Sequence, residues 1–162
     1  MESHLLSCGK FEIPDALALD HEELRTELIR AATVPGRIGI AAKKVAHLCL
    51  PHFAKEEQMI FSAFGLLHDL AANRVRKDMA PVAPMIALFS AQHHALLDRE
   101  QSMNVAVEEL LREAHKEKNT EIADLVSKLR NHEKTEDEVM YPTVLLIGSS
   151  VRDALGIDQL AA

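Results

Sequence analysis

His52 and Glu56 stand four residues apart in LPHFAKEEQM, and His132 and Glu136 repeat that spacing in RNHEKTEDEVM. Four residues is close to one helical turn, so each imidazole shares a helix face with its carboxylate. Both pairs lie on apolar stripes, which carries a basic nitrogen and an acidic oxygen toward the interior. Two further histidines hold equivalent places: His21 in the series Leu17, His21, Leu24, Leu28, and His93 in the series Phe89, His93, Leu96. A lone histidine on an apolar stripe is more often a hydrogen-bonded core residue than a ligand. A buried carboxylate is rarer, because it needs a cation or several donors. Four histidines and two glutamates spread over separate stripes therefore point to bound metal.

Six such donors overfill one tetrahedral zinc site and suit two ions. Two histidines serve each ion and both glutamates bridge, leaving room for an oxo or hydroxo bridge and an open position. Mixed nitrogen and oxygen ligation at high coordination fits iron or manganese. A zinc-peptidase motif is excluded, since it needs a second histidine four residues after the first, and Arg25 or Glu136 stands there. His94 diverges from His93 by about 100° and ligates only if the helix is locally distorted. Glu57 and Glu133, next to ligands in sequence, either hydrogen-bond an imidazole or face solvent. Tyr141 reads as a core or rim residue, and Cys49 as a small core residue beside the site.

Positioning these residues takes four long helices. The first runs from Pro14 to Thr33, before the stop signal Pro35-Gly36. The second runs from about Ile38 to Leu67, kinked at Pro51, with Met59 and Ala63 continuing its buried stripe. The third spans about Pro84 to Glu113. The fourth follows Asn119, a plausible cap, and continues toward Tyr141 or Ile147, with Val139 on its inner face. SSVRDAL then forms a short last helix. The expected fold is all-α: an up-down-up-down four-helix bundle in a single domain over 1–162, with its core over about 14–147 and a short tail or helix over 149–162. A long helical hairpin that dimerises is the alternative.

Composition agrees. Lys and Arg total 18 against 25 Asp and Glu, a net charge of −7, which argues against general duplex binding. Two cysteines in unlike contexts give no disulfide framework, the first residues do not resemble a secretory signal, and no charge-free stretch reaches membrane length. A cytoplasmic protein without nucleic-acid or membrane partners is expected.

The pieces DHEELR around His21, HFAKEE from His52, QHH around His93 and NHEKTEDEVMYP from His132 resemble, in order and spacing, the hemerythrin-like (HHE cation-binding) domains. The resemblance covers roughly Pro14 to Pro142. It implies two non-haem iron ions held by His21, His52, Glu56, His93, His132 and Glu136, and oxygen or nitric oxide as small ligand. The role implied is sensing, storage or delivery, or protection against iron or nitrosative stress, with an unidentified protein partner or a homodimer for any signalling. Oxygen-carrying members have a further histidine one turn from the first on the third helix. Here Phe89 and Leu97 hold those places, which turns the expectation from reversible oxygen carriage toward sensing and repair. A di-iron oxidoreductase acting on peroxide or another small substrate is the alternative. Ferritin-like oxygenases use more carboxylates, in the reversed Glu-x-x-His order.

Overall fold

The computed structural model describes residues 11–157, except that the side chains of 93–100 lie outside it. Among the described residues every regular element is helical. Helix α1 (Asp15–Ala32) starts at Pro14, whose fixed φ leads into the first turn. Gly36, at φ +82, reverses the chain into α2 (Arg37–Glu56). This helix stays continuous through Pro51. It passes into a π-helical turn, π1 (Glu57–Phe61), and one more turn, α3 (Ser62–Phe64). A short helix α4 (Leu67–Ala71) and a 3-10 turn (Lys77–Met79) lead to α5 (Val82–Lys116). Asn119 caps α6 (Thr120–Thr135), accepting from the Ile122 amide at 3.1 Å. A second π turn, π2 (Glu136–Met140), joins α6 to α7 (Tyr141–Leu155). Gly156, at φ +61, ends α7, with the Ile157 amide donating to the Arg152 carbonyl.

The rods α2–α3 and α6–α7 are each one helix carrying an internal wide turn. Helix α1 packs on α2, α2 on α5, α5 on both α6 and α7, and α1 closes against α6. Two departures from expectation stand out, the extra helix α4 and the length of α7. The fifth helix, α4, makes the bundle more than four bare rods. The segment 149–155 forms no separate helix, because α7 runs through it unbroken. Pro142 does not end the fourth rod, because it falls in the first turn after π2, where the hydrogen-bond ladder has already changed spacing.

The interior has two apolar cores. One gathers Leu24, Leu28, Val45, Phe53, Leu110 and Leu129. The other gathers Ile60, Phe61, Phe64, Ile86, Phe89 and Val144. Between them lies a thin polar layer of His21, Glu56, His132 and Glu136, each 7 % exposed or less. The π turns begin at this layer and shift the faces beyond it by one residue. Val139, expected inside, is 56 % exposed, and Met140 is buried instead. Likewise Met59 is only half-buried, while Ile60 and Phe61 are fully enclosed.

Candidate metal centre

Three rods bring the described residues of the polar layer together. His21 comes from α1, His52 and Glu56 from α2, His132 from α6, and Glu136 from the start of π2. Position 93 falls on α5 between Phe89 of one core and Met103 of the other, but the side chains of His93 and the neighbouring His94 lie outside the described residues. His21, Glu56, His132 and Glu136 each offer a ligand atom within 4.8 Å of the others.

The orientation of the imidazoles is fixed from behind. His21 Nδ1 donates to Glu57 Oε1 at 3.0 Å, and Arg25 holds the same oxygen at 2.9 Å. His132 Nδ1 donates to Asp20 Oδ2 at 2.6 Å. With both Nδ1 atoms so engaged, Nε2 is the nitrogen that each ring turns to the site. Those two Nε2 atoms lie 3.2 Å apart. Two unprotonated nitrogens at that distance would repel, so a proton or a metal cation must lie between or beside them. The rings are also locked by packing, His21 lying 4.4 Å from both Phe53 and Phe61.

The carboxylates add more unshared electron density. Glu56 Oε2 lies 3.6 Å and Glu136 Oε1 3.8 Å from His21 Nε2. Glu136 Oε1 also lies 2.6 Å from His132 Nε2. Among the described residues no hydrogen-bond donor is aligned on either oxygen. The other oxygen of each carboxylate turns to His52: Glu56 Oε1 at 3.4 Å and Glu136 Oε2 at 3.6 Å from its Nε2. Each carboxylate thus faces the His21–His132 pair with one oxygen and His52 with the other.

Protonation follows from this crowding. Burial raises the Glu56 carboxyl well above its usual range, and the charge of Glu136 adds to the effect, while the Tyr141 bond opposes it. Burial would raise Glu136 too, but the imidazoles of His132, His21 and His52 gathered around it outweigh burial and hold that carboxyl far below the usual range. For His132 burial pulls downward, yet the bond and charge of Glu136, with Asp20, lift it above 6.5. Metal-free, the site therefore gathers protons, the smallest cations available to it. A buried set of imidazole nitrogens and carboxylate oxygens without enough donors is the donor set that a metal ion fits. The cluster can coordinate a metal ion.

Tyr141 is the residue that sequence reasoning undervalued. Its hydroxyl donates to Glu56 Oε1 at 2.6 Å, and the side chain is buried. It follows Glu136 by five residues, one wide turn, so π2 puts it on the inner face. Asp20 was missed as the partner of His132, although it directly precedes His21 in the DHEELR stretch. Glu57 takes the supporting role open to it. Glu133 makes no described hydrogen bond to an imidazole and instead lines a cavity with His52, Met103, Asn104, Glu136, Asp137 and Tyr141. That cavity, of about 50 Å³, opens the His52 side of the cluster. His21 is fully enclosed, whereas His52 is 15 % exposed. Cys49 is a buried free thiol against Met103 Sδ at 3.3 Å, and burial pushes it up to about 12, which makes it a core residue and no thiolate ligand.

Comparison with family models, with curated proteins and with solved structures finds no match to this chain. No helix among the described residues is long and apolar enough to cross a membrane.

Proposed function

We propose that the polar layer holds two iron ions and that the protein binds a small ligand such as oxygen or nitric oxide there. The observation that carries this is the division of the two carboxylates between His52 on one side and His21 with His132 on the other. A carboxylate that offers one oxygen to each of two imidazole groups is arranged to bridge. His21 and His132 would hold the inner ion, with Glu57 and Asp20 keeping their lone pairs aimed. His52 and His93 would hold the outer one. A pair of ferrous ions supplies the electrons and open positions that binding such ligands requires. Tyr141 fixes Glu56 by its hydrogen bond, and the two apolar cores above and below keep bulk water out. The resemblance of the four histidine-bearing motifs to hemerythrin-like domains, in an all-helical bundle, supports the same assignment.

The cavity beside His52 has room for a few water-sized molecules and none for a larger organic substrate. Peroxide also fits, so peroxide reduction by the same centre is the second reading. Anaerobic loading with ferrous iron, followed by metal counting and optical spectra with nitric oxide, tests the proposal. Saturated protein should hold about two irons per chain. His52→Ala should lose the spectral response to nitric oxide while the His21–His132 pair still retains iron. A single ion at saturation in the unaltered protein refutes the two-ion arrangement. Rapid peroxide turnover without a nitric oxide response would favour the enzyme.

A further inference from the structure

The cavity beside His52 carries a charge pattern that a neutral diatomic ligand does not need. Its walls step inward from exposed Asp137 to half-buried Glu133 to Glu136, 2 % exposed. At the inner end Glu136 Oε2 faces His52 Nε2 at 3.6 Å, and the other oxygen of the same carboxylate has no donor aligned on it. No lysine or arginine is among the described residues lining the passage. An apolar passage would serve oxygen or nitric oxide better. A graded row of carboxylates ending on an imidazole suits a hydrated divalent cation, which must exchange water oxygens for protein oxygens one at a time.

We propose that this cavity is the entry route for divalent metal cations, with Asp137 and Glu133 as the capture point and Glu136 with His52 as the hand-over to the buried site. The inference rests on the metal assignment above. The enclosed side is less suited to entry, since His21 packs against Phe53 and Phe61 and Asp20 is engaged with His132. The net charge of −7 adds a long-range attraction for cations.

The test is stopped-flow uptake of cobalt(II), read by its ligand-field absorption, into the metal-free full-length chain at low ionic strength. The double variant Glu133→Gln, Asp137→Asn should load about tenfold more slowly, with the difference shrinking as salt rises. Its final cobalt content should equal that of the unaltered protein. Asn104→Lys, which adds a positive charge to the cavity wall without removing a carboxylate, should also slow uptake and decides the matter if the double variant does not fold. Loading at the unaltered rate in these variants overturns the entry route while leaving the metal site in place. If the unaltered protein takes up no cobalt, the metal assignment itself fails, and the entry route with it.

Discussion

The π turns make an unusual deletion tolerable. Within π1 the hydrogen bonds span one residue more than in an α-helix, so the turn holds one residue beyond what the flanking faces need. Removing exposed Gln58 should let the turn close to ordinary α geometry. His52 and Glu56 before it, and Ile60 and Phe61 after it, would keep their inward directions. The cost should be that of a surface change, about 1 kcal/mol or less, and a midpoint shift of ~2–4 °C. Gln101 on α5 is the control, since that helix has no wide turn to absorb a loss. Its deletion rotates everything after it by about 100°. Met103, Val107 and Leu110, all buried, would swing outward. At about 1.5–3 kcal/mol each that is roughly 5–9 kcal/mol, comparable to the whole stability of a domain. Thermal unfolding of both deletion variants in chelator, followed by circular dichroism, makes the comparison. A Gln58 deletion as unfolded as the Gln101 deletion would refute the idea that the wide turn stores one surplus residue.

Three further outcomes are expected. Tyr141→Phe keeps the ring contact with Phe89 but strands Glu56 Oε1, so the metal-free protein should lose about 1–2 kcal/mol by denaturant titration, and no loss would remove Tyr141 from its positioning role. Metal affinity should climb as pH rises, because the bond and charge of Glu136 raise His132 above its ordinary value, burial raises Glu56 as well, and the protons they hold must leave. Calorimetry in buffers of differing protonation enthalpy should register that proton release; pH-independent binding contradicts it. Gly39→Ala places a Cβ 1.9 Å from the Val34 carbonyl oxygen, a backbone atom that no rotamer change can move, and should destabilise by about 2 kcal/mol or more in the same unfolding assay.

The sequence made the helical class and the convergence of His21, His52, Glu56, His132 and Glu136 legible because all five lie on stretches that keep the 3.6-residue repeat up to the polar layer. Periodicity failed just beyond each glutamate. There the wide turns added one residue, which hid Phe61, Met140 and the inward direction of Tyr141. Five-residue spacing has no meaning on a regular helix face, so no sequence template looks for it. Asp20 was hidden for a different reason. Its partner His132 is more than a hundred residues away, and an exposed aspartate on a helix looks like ordinary surface charge.

The layered interior bears on how the molecule opens. Two apolar cores separated by a layer of buried imidazoles and carboxylates divide the interior at a polar seam. With protons alone at the seam, the half built on Leu28 and Leu110 and the half built on Phe64 and Val144 need not open together, and their amides would exchange with solvent through separate excursions. The seam residues come from both halves, since Glu136 begins the turn leading into the second and His21 sits on the helix that anchors the first. A cation bound there would fasten the halves to one another, so that local openings merge into a single global one. The protein's cooperativity would then report whether its centre is loaded, which is a signal that a partner touching only the far end of α7 could sense.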